Sequence, residues 1–160
     1  MQPINWENVD LICDLEVHEC QKGFISPNAN SIAEAYAAMN DDSVATRHVF
    51  GIFDGENPVG FAMIRFEDAA TDPNPFNGDD QPFYLFNRFM IGKQFQGKGY
   101  GKAAAQLVID HVKTQPYGKG ACFYVCFMPE NENARKLYES LGFVETGEVK
   151  WGEVVARMGI

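Results

Sequence analysis

The stretch Gln96-Gly97-Lys98-Gly99-Tyr100-Gly101-Lys102 combines residue types that together serve one kind of chemistry. Three glycines within five positions let backbone N–H groups approach a ligand closely, because no Cβ stands in the way. A strand-like run, residues 83–91, leads into it, and a helix-like run, residues 100–112, leaves it. A helix beginning there points its unpaired amides and the positive end of its dipole at the same spot. That describes an anion site, most often one for phosphate. Lys98 and Lys102 add positive charge in a chain whose net charge is −9. Gly92 to Lys98 also reads as a P-loop, but Gly99 stands where a Ser or Thr must hold magnesium. Gly99 to Ala104 also fits a dinucleotide fingerprint, yet Ile91 lies too far upstream and the motif too late in the chain for a Rossmann unit.

The elements needed to position this loop can be read in order. Residues 1–5 are a candidate edge strand, and residues 6–22 carry Val9, Ile12, Cys13, Val17 and Cys20 at helical spacing. Ser31 and Glu34 form a capping-box pattern, ahead of a helix face made by Ile32, Ala35, Tyr36 and Met39. Strands are expected at 47–54 and 59–66, joined through Asp54-Gly55-Glu56-Asn57-Pro58. Residues 67–81 are polar and read as a mobile surface loop bordering a substrate site.

After the glycine loop, Tyr100, Ala103, Ala104, Leu107, Val108 and His111 share a helix face, with His111 read as a core or boundary histidine. Residues 121–127 are almost wholly apolar, as a strand buried on both faces should be. Asn131 caps a helix whose face carries Ala134, Leu137, Tyr138 and Leu141, and Gly142 ends it. Strands at 143–149 and 154–160 close around Lys150-Trp151-Gly152-Glu153. This order predicts a single α/β domain with a mixed sheet, including a parallel crossover from strand 83–91 through helix 100–112 to strand 121–127.

Composition excludes several classes. At 160 residues the chain suits one domain with its own core. No apolar run approaches the roughly 18 residues of a membrane span, and no signal peptide opens the chain. Cys13, Cys20, Cys122 and Cys126 show no metal-ligand spacing, and His18, His48 and His111 are scattered, so no metal site is expected. A reduced, cytoplasmic setting follows as the default. The negative charge argues against nucleic acid and favours a cationic substrate. Exposed strand edges near the C-terminus make a homodimer reasonable.

The pattern Q-x-x-G-x-G, filled by Gln96, Gly99 and Gly101, resembles the GNAT acetyltransferase superfamily. So does Asn131-x-x-Ala134-x-x-x-Tyr138-x-x-x-Gly142-Phe143, at the expected separation after the glycine loop. Together these motifs span about residues 85–143. The resemblance implies a mixed, mostly antiparallel sheet flanked by helices. It also implies direct transfer of acetyl from acetyl-coenzyme A to a primary amine. By resemblance, residues 96–102 hold the pyrophosphate, and the backbone around Phe89, Met90 and Ile91 binds the pantetheine arm and the developing oxyanion. Asn131, with Asn133 second, binds the pantetheine side, and Tyr138 protonates the leaving thiolate. Taken alone, Tyr138 would read as a core tyrosine.

Within the superfamily the chain looks similar to the polyamine (spermidine/spermine) acetyltransferases, through Arg88-Phe89 and the segment from His18 to Ser31. Several of those carry a carboxylate where this chain has Asn87, which can bind an amine but cannot serve as a base. Glu19, Glu67, Asp68 and Asn87 are the candidates for the acceptor side. The alternative to an enzyme is a GNAT fold that binds coenzyme A without turnover, as a sensor or scaffold.

Overall fold

The computed structural model describes residues 1–42, 44–68, 75–76 and 81–160. Among these a seven-stranded sheet runs in the order β1-β2-β3-β4-β5-β7-β6. The strands are β1 (Gln2–Pro3), β2 (Arg47–Asp54), β3 (Asn57–Glu67), β4 (Phe83–Ile91), β5 (Cys122–Phe127), β6 (Val144–Lys150) and β7 (Glu153–Gly159). The β4–β5 pair is parallel and the other neighbours are antiparallel. The helices are α1 (Val9–Cys13), α2 (Asn28–Ala38), α3 (Tyr100–Lys113) and α4 (Glu132–Ser140). The fold is thus the mixed, mostly antiparallel α/β arrangement that the sequence predicts.

Two layers cover the sheet. On one face Ala62, Ile64, Tyr84, Phe86 and Ile91 pack against Ala104, Ala105, Val108, Ile109 and Val112 of α3, with Tyr138 of α4 in the same cluster. Each fully buried Val or Ile there stabilises the fold by about 1.5–3 kcal/mol. On the other face Phe61, Met63 and Met90 meet Ile12 and Leu15. Farther along that face Phe83, Leu85, Tyr124 and Val155 close around Phe76.

Strand β4 departs from regularity twice. Met63 pairs with Arg88 and Ile64 with Phe86, so Asn87 is an extra residue, a bulge that bends the strand. In addition, β4 pairs with β5 only over Phe83–Phe86. Beyond that point Cys126 and Phe127 pair with β7 alone. The backbone from Asn87 to Ile91 therefore has no strand partner on the β5 side, and a cleft opens between the two strands.

Several expectations need correction. The helix expected over residues 6–22 is a short α1 followed by extended chain and a 3-10 turn at Glu19–Gln21. Its backbone is diverted, because the Glu16 carbonyl accepts the Lys93 N–H at 2.7 Å and its carboxylate pairs with Lys93 at 2.9 Å. Helix α2 starts at Asn28, so Ser31 lies inside it and is not a cap. Buried Asn28 sets this start by donating Nδ2 to the Ile12 carbonyl at 2.8 Å. The inward face is accordingly Asn28, Ser31, Ala35 and Ala38. Tyr36 and Met39 are 72% and 71% exposed.

The α3 face is rotated by about one residue, with Ala105, Ile109 and Val112 buried and Leu107 exposed. Of the expected loop 67–81, Glu67 completes β3 and Phe76 is buried, stacked on Tyr124 at 4.4 Å. Residues 69–74 and 77–80 of that loop lie outside the described residues. His111 meets Tyr117 through Nε2 at 3.2 Å, the boundary role expected of it.

Candidate active site

The glycine loop lies at one end of the β4–β5 cleft. Gly97 and Gly99 have φ of +74° and +85°, conformations that side chains with a Cβ resist. Gly99 is the N-cap of α3 and offers no side chain, so the first-turn amides of α3 stay available to a ligand. A Cβ on Gly101 would lie 3.9 Å from Ile91 Cγ1 and meet no other atom of the chain closer. The protein's own packing therefore does not demand glycine there, which fits a position kept bare for a ligand.

The polar side chains of the loop mostly hold the loop itself. Gln96 donates Nε2 to the Ile91 carbonyl at 2.9 Å and exchanges amide hydrogen bonds with Gln21. Lys98 folds back onto the Gln94 carbonyl at 2.9 Å. The Tyr100 hydroxyl donates to Asp54 at 2.5 Å, tying α3 to the β2–β3 hairpin and raising the phenol pKa. Lys102 is exposed.

A cavity of about 1120 Å³ runs from this loop through the cleft. Its walls include the β4 backbone from Asn87 to Ile91, Gly97 and Gly101, and Asn131, Asn133 and Tyr138 from the α4 side. Asn131 caps α4 through Oδ1, which accepts the Ala134 N–H at 3.1 Å. Its Nδ2 group remains for a ligand. Gly142 ends α4 at φ +94°. Tyr138 is 7% exposed and packs against Phe86, Phe127 and Phe143. Burial raises its pKa well above the ordinary phenol range, so it holds its proton at neutral pH. Its hydroxyl has no hydrogen-bond partner among the described residues. Cys126 on the same wall is pushed up to about 12 by burial, which leaves it a poor nucleophile.

The far end of the cavity is charged. Glu34 of α2, Arg47 of β2, Arg65 of β3, Arg88 of β4 and Glu153 of β7 line it. Arg88 lies 3.7 Å from Glu34, and the Nε atoms of Arg47 and Arg88 are buried without hydrogen-bond partners. Trp151 and Gly152 both have positive φ and make a tight two-residue turn of the β6–β7 hairpin, which sets Glu153 at the start of β7. Burial raises the Glu153 carboxyl, and the neighbouring Arg88 guanidinium opposes that rise.

The sequence candidates divide sharply. Phe89, Met90, Ile91, Gln96, Gly97, Gly101, Asn131, Asn133, Tyr138 and Asn87 line one cavity, whereas Lys98, Gly99, Tyr100 and Lys102 of the same loop do not line it. Glu19 is exposed and paired with Lys22 at 2.6 Å. Glu67 is buried against Arg65 at 2.8 Å. Neither these two nor Asp68 lines the cavity. Arg47, Arg65, Arg88, Glu34 and Glu153 were not among the site candidates read from the sequence. The available hint was a carboxylate opening a strand whose next residues, Val154, Val155 and Ala156, are apolar.

Comparison with known proteins gives the family. The model of the acetyltransferase (GNAT) family matches residues 10–143. A spermine/spermidine N(1)-acetyltransferase of Bacillus subtilis is 29% identical over 150 residues, covering 93% of this chain and 90% of the relative. An aminoglycoside acetyltransferase solved with coenzyme A superposes with a TM-score of 0.73 at 14% identity, covering 99% of this chain and 92% of the other. A Vibrio cholerae spermidine N-acetyltransferase solved with coenzyme A and spermine gives 0.65 at 18% identity, with the same coverage. A bare glycine turn, an unpaired strand edge and an Asn/Tyr helix on one cavity, matched over most of the chain by the family model, lead to one conclusion: this chain belongs to the GNAT acetyltransferase family and is an N-acetyltransferase.

Proposed function

We propose that this chain transfers the acetyl group of acetyl-coenzyme A directly to a primary amine of a small cationic acceptor, with a polyamine as the leading class. The observation that carries the transfer is the single cavity joining the glycine turn, the free β4 edge and Tyr138. Amides at Gly97 to Lys102 hold the pyrophosphate. The open backbone at Phe89, Met90 and Ile91 receives the pantetheine arm as an added strand edge, and an N–H near Phe89 or Met90 stabilises the oxyanion. Such a donor is worth about 2.7–4 kcal/mol in enzymes where it has been measured. Asn131 orients the pantetheine side, and Asn133 stands next to it on the wall.

Tyr138 serves the departing sulfur. A phenol above its ordinary pKa does not yield a free tyrosinate at neutral pH. Its O–H therefore donates to the sulfur as the C–S bond breaks, and it recovers a proton from the attacking nitrogen in the same step.

The polyamine choice draws on the name of the Bacillus relative and on the net charge of −9. A second reading has its own observation: Arg47, Arg65 and Arg88 suit an amine that also carries an acidic group. Coenzyme A thiol release over a panel of polyamines, aminoglycosides and amino acids decides between them. Turnover with spermine or spermidine far above that with amino acids supports the first, and the reverse order replaces it with the second. The same reading includes a cytoplasmic setting, in keeping with four free thiols, and a homodimer that sedimentation would test.

A further inference from the structure

Resting on the transferase reading, we propose that Glu153 is the general base that removes the proton from the acceptor's ammonium group. Among the described residues, Glu34 and Glu153 are the carboxylates that line the cavity. Glu34 is 44% exposed in its side chain and lies 3.7 Å from Arg88. Glu153 lies deeper. It precedes the pairs Phe127↔Val154 and Cys126↔Val155, so it sits where β7 runs beside the open end of β5. Strand alternation puts it on the face of Val155, whose cluster contains Leu85 and Tyr124. Its charge is felt at both Tyr138 and Cys126, and all three line the same cavity.

The groups around it set its behaviour. Arg88 from β4 stabilises its anion, Cys126 from β5 and Tyr138 from α4 are neutral neighbours, and Glu34 from α2 draws on the same Arg88. Arg65 from β3 and Glu148 from β6 act on Cys126 beside it, Arg65 being already paired with Glu67 and Glu148 lying 3.9 Å from Lys150. Desolvation lifts the carboxyl, which brings a weak base toward the working pH. The Asn87 carboxamide cannot take up a proton at neutral pH, so the base is supplied from across the cleft by another strand.

The step balances as follows. The Glu153 carboxylate takes one proton from R–NH3⁺, giving R–NH2 and a carboxylic acid. The amine lone pair forms the C–N bond at the thioester carbon, and the C–S bond breaks. Tyr138 gives its proton to sulfur and regains one from nitrogen. Glu153 returns its proton to solvent, so one proton is released per acetylation.

The test is Glu153→Gln, which keeps the shape and removes the basicity. The expected result is a kcat at least about 100-fold lower at pH 7 with acetyl-coenzyme A affinity and melting temperature unchanged. The wild type should lose kcat/KM as pH falls through the Glu153 pKa, and the variant should lack that limb. Carboxyl 13C NMR, comparing the two proteins, should show one group titrating above the ordinary glutamate range in the wild type only. Unchanged kcat, a loss confined to the acceptor KM, or an ordinary pKa at Glu153 would each overturn the assignment while leaving the transferase intact. No turnover by the wild type with any amine would remove the transferase reading and this base with it.

Discussion

The two ends of the cavity are built on different principles. The glycine-loop end is mostly backbone: turn amides of positive-φ glycines, a helix N-terminus and a strand edge without a partner. The charged end is made of side chains from five separate elements, Glu34, Arg47, Arg65, Arg88 and Glu153. A backbone site tolerates changes in the side chains around it but fails when the chain cannot adopt its dihedrals. A side-chain site keeps its fold through substitution and changes what it selects. Cosubstrate binding and acceptor choice should therefore respond to different mutations.

The sharpest test lies where the two ends meet. Tyr138→Phe should lower kcat by about 100- to 1000-fold with acetyl-coenzyme A affinity unchanged, as read by steady-state kinetics and calorimetry. Unchanged turnover would mean that the hydroxyl only packs. Next in size, Gly99→Val should weaken acetyl-coenzyme A binding by about 10- to 100-fold, because a β-branched residue resists φ of +85° at a cost of about 1–2 kcal/mol and also fills space that the chain itself leaves open there. The acceptor KM should stay as it was. A variant that loses both equally would show that the two ends are not separable.

Arg88→Gln should act in the opposite direction, lowering the KM for a polyamine by about 2- to 5-fold. It removes a cation beside Glu34 and Glu153 from a partly solvated site, where charge contacts are worth about 1 kcal/mol or less. A raised KM would point to an acidic group on the acceptor.

The smallest effect should leave both ends alone. His48 stacks on Tyr117 at 3.4 Å, and both His48 and His111 are held below the ordinary imidazole pKa by burial. The unfolded chain then takes up protons before the folded one does. Stability is full above about pH 6.5 and declines as pH falls below it. Melting curves from pH 7.5 to 5 should show this drop, and His48→Phe should reduce it.

The same contrast explains what could be read from the sequence. Gln96, Gly99, Gly101, Asn131 and Tyr138 lie in local patterns whose spacing follows from one turn and one helix, so residue types alone were informative. Arg47 and Arg65 are neighbours only because β2 and β3 pair in that register. Glu153 reaches the cavity because β7 inserts beside β5 instead of at the sheet edge. No local pattern encodes either fact. Helix phases failed for a related reason. The end of α1 and the start of α2 are set by the tertiary hydrogen bonds of Glu16 and Asn28, which outweigh their amphipathic period.

The extra residue in β4 has one more consequence. Ahead of Asn87 the even-numbered side chains, Tyr84 and Phe86, face α3, whereas after it the odd-numbered Phe89 and Ile91 do. A strand with strict alternation would send Arg88 into that apolar layer, where a guanidinium has no partner, and turn Phe89 toward the acceptor. One inserted amide thus acts as a parity change, letting a single strand present grease to a helix on one side along its whole length while showing a cation to the substrate on the other. Deleting Asn87 should cost the fold far more than any substitution at that position.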